Sequence, residues 1–458
     1  MLAALLTVAV ILTAQPAPQP RNSVLETALK VWDVDTSDMN GDGTADILLL
    51  TSDEQSHPLK KELGLFLSDE KGGYPVKPSV TLPFDTSMGA AMLAECDGKP
   101  PRELVVLNAE GALVYRFEAG KFEKIGEPRF FSLLPSHAKE PSFLKHSAKD
   151  LLGDGRDVWF IPTPSGYDLR RMDGSVAMAE CDVVSEMRRE ENTYIVHRLP
   201  AVHPFTVPGE QHKGMAFLSD QFADFAHGPD WKQHERFRIP VNLAEKWQGM
   251  AKMVDFNNDE LPDLVVTQMK GTVNMMAQTQ VYVAKELFKY PETPTKTFST
   301  KGGISSPILI DVDGDKRKDV VLISIPLGVT NFINFFVRGK LSVRADVYLF
   351  NGTDFGGNPT FSTSLTMDAP EGRERVAYTF GDFNGDGRLD VAYGKESDML
   401  AIRVGGKEEF LSSGSWAEVK VPSFGMADEY SLNGNAAQDI VMYHPGGPNA
   451  KRVDVIVF

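Results

Sequence analysis

Residues 381–394, GDFNGDGRLDVAYG, are the stretch that determines how the rest of the chain is interpreted. Asp382, Asn384, Asp386 and Asp390 put side-chain oxygens at positions 1, 3, 5 and 9 of a short loop. Gly387 at position 6 permits the sharp turn that such a loop needs. The apolar residues 391–393 follow at once and predict a β-strand.

The same arrangement recurs in register along the chain. Complete copies begin at Asp38, Asp255 and Asp311, each followed by a short apolar strand, and weaker copies begin at Glu95, Asp150 and Ser431. In the complete loops the carbonyl oxygen of position 7 completes the predicted ligand set. The predicted metal ligands are Asp38, Asn40, Asp42, Thr44 and Asp46; Asp255, Asn257, Asp259, Leu261 and Asp263; Asp311, Asp313, Asp315, Arg317 and Asp319; and Asp382, Asn384, Asp386, Arg388 and Asp390, with Thr44, Leu261, Arg317 and Arg388 acting through the backbone.

Oxygens crowded in this way are typical of a calcium site, since calcium takes about six to eight oxygen ligands. Without a cation, carboxylates this close would repel one another strongly. An EF-hand needs a glutamate at position 12, whereas these loops have Leu49, Val266, Leu322 and Tyr393 there. We expect about four calcium ions, one for each complete loop.

The three weaker loops are expected to be without calcium. Lys99 stands at position 5 of its loop, where its ammonium group could replace the ion. The copy formed by Asp150, Asp154 and Asp157 is one residue short, and the copy at Ser431 has a single carboxylate, Asp439. Two complete loops have Glu260 and Lys316 in place of the glycine at position 6, and a left-handed backbone there would cost about 1–2 kcal/mol.

The repeats predict an all-β β-propeller. Each unit reads as four short strands, and units that recur about every 50 residues are typical of propeller blades. The interval from Asp157 to Asp263 is about twice the others, so a unit without the motif is expected between them. This gives eight blades, with seven as the alternative. Residues 23–29 could supply the strand that the last unit lacks, so residues 21–458 form one propeller closed by pairing of the N- and C-terminal strands.

Residues 381–394 resemble the FG-GAP/VCBS calcium loop, and the repeats extend the resemblance over most of the chain. The resemblance implies a β-propeller, like the head of integrin α chains, with calcium bound in blade loops on one face. Proteins with these repeats include adhesion heads, lectins and some lyases, so the fold alone does not select a function.

The N-terminal residues and the charge limit where the protein works. Residues 1–20 read as a signal peptide with a Pro-rich leader, because residues 2–12 are apolar apart from Thr7. A secreted, extracellular or periplasmic location is therefore predicted. The net charge of −16, from 63 acidic and 47 basic residues, argues against nucleic acid as a partner. We expect a monomer whose ligand is a protein or a glycan.

No catalytic residue can be named from the sequence. It contains no nucleophile elbow, phosphate-binding loop or dinucleotide fingerprint, so we predict a non-enzymatic binding, adhesion or scaffold module. A polysaccharide-active lyase or hydrolase on a propeller scaffold is the alternative, because such enzymes need only dispersed carboxylates or arginines. Five of the nine histidines fall between His197 and His234 without a metal-binding spacing, and Cys96 and Cys181 could form a disulfide or remain two thiols.

One insertion departs from the β pattern. In residues 329–338 the apolar side chains recur at helical spacing, which predicts a short helix. Its apolar face could pack on the propeller, or it could be an exposed surface for peripheral contact with a partner or lipid.

Overall fold

The computed structural model describes residues 20–69, 72–189, 193–240, 247–271, 276–301, 303–304, 307–325, 334, 338–369 and 375–458, and these residues are almost all strands, turns and loops. The strands form eight four-stranded antiparallel blades in a propeller ring. The all-β, eight-bladed prediction is confirmed.

The first strand, β1 (Arg21–Glu26), belongs to the last blade. Blades 1 to 4 follow it in chain order. Blade 1 is β2 (Lys30–Ser37), β3 (Asp46–Asp53), β4 (Lys60–Phe66) and β5 (Val80–Phe84). Blade 2 is β6 (Ala90–Ala94), β7 (Glu103–Asn108), β8 (Gly111–Glu118) and β9 (Lys121–Gly126), with the short β10 (Ser142–Phe143) added parallel to β6. Blade 3 is β11 (Ala148–Lys149), β12 (Val158–Thr163), β13 (Gly166–Arg171) and β14 (Gly174–Glu180).

A separate hairpin, β15 (Val184–Arg189) and β16 (Thr193–Arg198), comes between blades 3 and 4 and forms a two-stranded sheet. Blade 4 is β17 (Ala201–Phe205), β18 (Gly214–Leu218), β19 (Phe222–His227) and β20 (Gln233–Arg238). This blade is the unit predicted between Asp157 and Asp263.

Blades 5 to 8 complete the ring. Blade 5 is β21 (Gln248–Val254), β22 (Asp263–Lys270), β23 (Met276–Tyr282) and β24 (Lys296–Lys301). Blade 6 is β25 (Gly303–Ile304) and β26 (Ile308–Ile310), both paired with β27 (Asp319–Ile325), then β28 (Lys340–Tyr348) and β29 (Phe361–Asp368). Blade 7 is β30 (Tyr378–Gly381), β31 (Asp390–Glu396), β32 (Met399–Arg403) and β33 (Ala417–Val419), and blade 8 is β34 (Met426–Tyr430), β35 (Asp439–Tyr443), β36 (Arg452–Val457) and β1.

The second strand of each blade lies between two neighbouring blades, which explains its unbroken apolar sequence. In β3, residues 47–50 are fully buried. Ile47 and Leu49 pack in one cluster with residues of blade 8, whereas Leu48 and Leu50 pack in another with residues of blade 2. Because successive side chains of a strand point to opposite faces, a strand that is covered on both faces is apolar at every position.

The ends of the chain pair with each other. β1 runs antiparallel to β36, with Arg21 opposite Val457 and Glu26 opposite Arg452. Leu25 is fully buried in the cluster that joins blades 8 and 1. The N-terminal strand thus covers an edge of β36 that would otherwise be open.

The structure also describes part of the predicted helix and both cysteines. Asn334 and Arg338 are helical, and Arg338 donates to Asn334 at 3.3 Å, while the rest of the predicted helix, like the leader at residues 1–19, lies outside the described residues. Cys96 and Cys181 are free thiols. Among the described residues, no helix has the length and apolar character needed to span a membrane.

The buried contact of β1 can be tested by substitution. Leu25→Ala should lower the free energy of unfolding by about 2–5 kcal/mol, because it leaves a cavity in the cluster between blades 8 and 1. Asn22→Ala in the same strand is the control, since Asn22 is exposed, and should change the free energy by less than about 0.5 kcal/mol. Equal effects of the two substitutions in denaturant unfolding would contradict a closure that depends on burial.

Candidate metal-binding loops

The loops of blades 1, 5, 6 and 7, which connect the first and second strands of these blades, follow one backbone path. Positions 4 and 6 have positive φ in each of them, so the chain turns sharply twice. Gly43 and Gly387 adopt this conformation without strain, but Glu260 (φ 66°) and Lys316 (φ 69°) adopt it as non-glycine residues. The left-handed conformation expected at these two positions is therefore present.

The carboxylate at position 1 organises the turn. In blade 1, Asp38 accepts the N–H groups of Gly41 at 2.7 Å, Asp42 at 3.1 Å and Gly43 at 2.9 Å. In the other three loops the N–H of position 6 also donates to the position 1 carboxylate; the donors are Glu260 to Asp255, Lys316 to Asp311 and Gly387 to Asp382. These bonds hold the position 1 side chain over the loop.

Positions 3 and 5 turn towards the same side. Asn40 accepts the N–H of Asp42, and Asp42 accepts the N–H of Thr44. In blade 6 the three carboxylates at positions 1, 3 and 5 each offer an oxygen within 4.8 Å of the others; they are Asp311, Asp313 and Asp315. A cation with several oxygen ligands suits such a cluster.

The position 9 carboxylate has a second task. Asp263 accepts the N–H of Phe256 at 2.8 Å and that of Ala284 at 2.7 Å, so it joins its own loop to the end of the third strand. Four other residues make the same pair of bonds: Asp46 with Met39 and Ser68, Asp319 with Val312 and Phe350, Asp390 with Phe383 and Gly405, and Asp439 with Leu432 and Phe458. We call this pair of bonds the carboxylate bracket.

The bracketing carboxylates are buried. Burial raises the pKa of Asp263 and of Asp319 to about 7 and that of Asp390 to about 6, although the backbone N–H donors oppose the increase. A carboxylate oxygen has two lone pairs, so each oxygen can accept an N–H and still face a cation. The bracket is nevertheless a structural role that the sequence analysis did not assign to position 9.

The four loops differ at position 7. Thr44 and Leu261 carry no charge, whereas Arg317 contacts Asp315 and Arg388 lies 3.6 Å from Asp386. Both arginines therefore approach the position 5 carboxylate of their own loop. A cation bound in blade 6 or 7 would therefore compete with the guanidinium at position 7. In blades 1 and 5 the residue at position 7 has no charge and would not compete.

The loop of blade 2 contains a guanidinium that the sequence analysis missed. Arg116, on the third strand β8, donates to Asp97 at 2.6 Å and to Glu103 at 2.6 and 3.1 Å. These acceptors are positions 3 and 9 of the loop. The sequence predicts that Lys99 replaces the ion, but Lys99 is exposed. The positive charge in this loop comes from Arg116 instead.

The loop of blade 3 contains a second guanidinium. Arg171, on the third strand β13, donates to both oxygens of Asp154 at 2.6 and 2.9 Å and to the carbonyl of Arg156 at 3.0 Å. Asp154 and Arg156 are positions 5 and 7 of this loop. The bonds to Arg171 hold the pKa of Asp154 at about 2.

The register corrects the interpretation of the Asp150 copy. The second strands of blades 1, 2 and 5 to 8 begin at position 9, and β12 begins at Val158. Counted from Asp150, Val158 is position 9 and Asp157 is position 8, so the loop is not short. Asp157 instead bonds to the neighbouring loop, since its N–H donates to the Glu95 carbonyl at 2.7 Å and its carboxylate accepts the Glu95 N–H at 2.9 Å.

The loop of blade 8 uses amides in place of acids. Asn433 and Asn435 both donate to the main-chain oxygen of Phe458, at 3.2 and 2.8 Å. Their side chains therefore hold the C-terminal residue. Asp439 is the carboxylate of this loop and forms its bracket.

The histidine-rich segment is divided among several elements. His197 lies on β16 and bonds to Ser185, whereas His203 lies on β17 and His227 on β19. Among the described residues, the groups of acids or histidines that could hold a metal are Glu95, Asp97 and Glu103 in blade 2 and Asp311, Asp313 and Asp315 in blade 6. Neither group contains a histidine.

The carboxylate bracket can be tested in blade 8. Asp439→Ala leaves the N–H groups of Leu432 and Phe458 without their acceptor, and each such loss costs about 1–3 kcal/mol of unfolding free energy. Asp398→Ala is the control, because Asp398 is exposed and its contact with Lys420 is 3.8 Å long. Denaturant unfolding should show a large loss for Asp439→Ala and almost none for Asp398→Ala; similar small losses would mean that the bracket does not stabilise the blade.

Comparison with known proteins agrees with the repeat. The family of FG-GAP-like repeats matches residues 255–322, from the loop of blade 5 into β27. No curated protein matches the sequence. Among solved structures, the biofilm matrix protein Bap1 of V. cholerae is similar over 97% of this chain and 89% of its own, with 10% identity and a TM-score of 0.44.

Two other structures are similar at lower scores. BBS1N in complex with ARL6DN is similar over 81% of this chain and 94% of its own, with 10% identity and a TM-score of 0.28. The S. cerevisiae core factor is similar over 95% of this chain and 61% of its own, with 6% identity and a TM-score of 0.38. Because these likenesses are weak, the fold rests on the strand order and on the matched repeat. Residues 255–322 match the FG-GAP-like repeat, and loops of the same pattern recur in other blades of the eight-bladed ring, which together support an FG-GAP β-propeller.

Proposed function

We propose that this propeller is an exported, calcium-stabilised binding module that recognises a protein partner and has no enzymatic activity. The observation that carries the proposal is the shared geometry of the loops in blades 1, 5, 6 and 7. In each loop the acid at position 1 accepts the N–H of position 6, and positions 3 and 5 add further side-chain oxygens.

The donor set of these loops suits calcium. Every ligand that a loop offers is an oxygen, from carboxylates, an amide or the carbonyl at position 7, and calcium prefers such hard donors. The residues that would hold the ions are the twenty predicted ligands, with the bracketing acids contributing the oxygen lone pairs that their N–H donors leave free. Bound calcium would neutralise the carboxylates and fix the two turns of each loop.

The four loops are not equivalent in this proposal. Blades 1 and 5 have uncharged residues at position 7, so their ions would meet no arginine there. In blades 6 and 7, Arg317 and Arg388 lie beside the position 5 acid and would have to swing outwards. Tighter calcium binding is therefore expected in blade 1 than in blade 6 or 7. Blade 5 also has no charge at position 7, but the strained backbone at Glu260 is expected to weaken its calcium binding.

The export part of the proposal is supported by the leader sequence. The apolar run at residues 2–12 has the length of a signal-peptide core. Calcium modules outside the cell work at dissociation constants of about 10⁻⁴–10⁻³ M, which loops with strained or crowded positions can meet.

The proposed partner surface is the hairpin β15–β16. It forms a two-stranded sheet of its own, and Met187 and Ile195 lie directly opposite each other across it with 64% and 56% of their surfaces exposed. Val184 and Tyr194 of the same hairpin are exposed as well. Exposed apolar groups of this kind usually mark contacts, and aliphatic side chains suit a protein better than a hydroxyl-rich glycan.

Calcium binding can be counted directly. Titration calorimetry of the calcium-free protein should find about four sites, and Asp386→Ala should remove one of them because it deletes the position 5 ligand of blade 7. Asn435→Ala, at the same position of the blade 8 loop, should leave the count unchanged. Excess chelator should lower the melting temperature, since each ion that binds only the folded protein adds about 2.7 kcal/mol at a hundredfold excess over its dissociation constant. A protein that binds no calcium and melts identically with and without chelator would refute this part.

The partner surface can be tested with a matched pair of variants. Met187→Ser combined with Ile195→Ser should abolish capture of the partner from the organism's extracellular fraction, identified by mass spectrometry with the wild-type protein as bait. Phe131→Ser, which removes an exposed apolar side chain (62% exposed) that does not belong to the hairpin, should capture the same protein as the wild type. Retained capture by the double variant excludes the hairpin, and release of sugar fragments from a panel of polysaccharides would favour the enzyme alternative.

A further inference from the structure

We propose that Arg116 and Arg171 are resident cations that stand in for calcium in blades 2 and 3, so that these two blades keep their loops folded without metal. Both guanidinium groups donate to oxygens that a bound calcium would use in a complete loop. In blade 2 these are the side chains at positions 3 and 9, and in blade 3 they are the side chain at position 5 and the carbonyl at position 7.

The two arginines occupy the same place in their blades. The pairing of Leu104 with Tyr115, extended by one residue, puts Arg116 opposite position 9 of its loop. The pairing of Trp159 with Arg170 likewise puts Arg171 opposite Val158, which is position 9 of its loop. One site on the third strand has thus received a positive charge in both blades.

The complete loops have an apolar residue at this site. Extension of the register in the same way places Leu67, Val283, Leu349 and Val404 opposite position 9 in blades 1, 5, 6 and 7. An aliphatic side chain leaves the oxygens of the loop to another cation, whereas an arginine engages them itself. The residue opposite position 9 therefore distinguishes the two kinds of loop.

The same two loops are poorly suited to calcium on independent grounds. Position 6 of the blade 2 loop is Pro100, whose ring fixes φ near −65° and prevents the left-handed turn that the complete loops make there. Position 3 of the blade 3 loop is Leu152, which offers no side-chain oxygen. The arginine is therefore present in the two loops that lack part of the calcium-binding geometry.

A guanidinium can take over the electrostatic part of the metal's role. It is permanently charged and donates several N–H groups in one plane, so it can bind two acceptors at once. Arg171 is almost fully buried, and Glu103, one of the acceptors of Arg116, is fully buried. Loss of a partner from such a pair leaves an uncompensated charge in the protein.

The test is a set of variants measured in calcium-free buffer. Arg116→Met should lower the melting temperature, and Arg116→Lys, which keeps the charge, should lower it less. Arg403→Met is the matched control: Arg403 lies on the third strand of blade 7, but its guanidinium bonds to the carbonyls of Leu411 and Ser412 and not to loop acids. Arg403→Met should therefore lower the melting temperature less than Arg116→Met.

The direction in which a second substitution changes the melting temperature distinguishes charge compensation from simple packing. Asp97→Asn should destabilise the wild type, which loses an ion pair, but should stabilise the Arg116→Met variant, which carries an unbalanced acid. In blade 3 the same comparison uses Asp154→Asn in the wild type and in the Arg171→Met variant. This pair replaces the blade 2 pair if an Arg116 variant does not fold. The proposal is overturned if each asparagine substitution changes the melting temperature in the same direction in both backgrounds.

Hydrogen exchange resolves the effect by blade. This second test depends on the proposed calcium binding. On addition of chelator, exchange should increase in β22 and β27 and stay unchanged in β7 and β12; an equal increase in all four strands would overturn the inference. If no strand responds, the proposed calcium binding fails, and the substitutions in calcium-free buffer still decide the role of the arginines.

Discussion

Where the second strand begins in blades 1, 5, 6, 7 and 8, a buried acid accepts backbone N–H groups from two directions. Asp263 shows the arrangement, with bonds of 2.8 Å from its own loop and 2.7 Å from the end of the third strand. The bracket connects the loop to the end of the third strand. The hydrogen bonds of the β-sheet do not join these two segments. Because the acid is buried, its pKa is raised, so its ionised form requires compensation from the surrounding structure.

The other loop acids make this requirement harder to meet. Asp255 and Asp259 lie close to Asp263 and raise its pKa further. A positive charge within the loop removes the difficulty. In blade 2 the charge is Arg116, which bonds to the position 9 acid itself; in blade 3, where position 9 is Val158, Arg171 bonds to the position 5 acid. In blades 1, 5, 6 and 7 we propose that the charge is calcium. In blade 8, asparagines at positions 3 and 5 replace the acids and donate to the main-chain oxygen of Phe458, so fewer negative charges surround Asp439.

Much of the fold could be predicted from the sequence, because the loop motif recurs at intervals that reveal the length of one blade. The double interval between Asp157 and Asp263 indicated a blade without the motif, and β17 to β20 form it. The double role of the position 9 acids could not be predicted, since the donors on the third strand are backbone N–H groups that leave no trace in the sequence. The arginines could have been found. Arg116 lies thirteen residues after Glu103, and comparison of that site with Leu67 or Val283 would have revealed a charge where other blades are apolar.

The charge balance of the loops predicts where cations are found in the ring. The most direct measurement is a crystal structure grown in calcium, with anomalous scattering recorded at a wavelength where calcium contributes strongly. This balance predicts anomalous peaks in the loops of blades 1, 5, 6 and 7, and in blades 2 and 3 the guanidinium groups of Arg116 and Arg171 in contact with the loop acids. An anomalous peak in the loop of blade 2 or 3 with its arginine displaced, or no peak in any of the four complete loops, would contradict it.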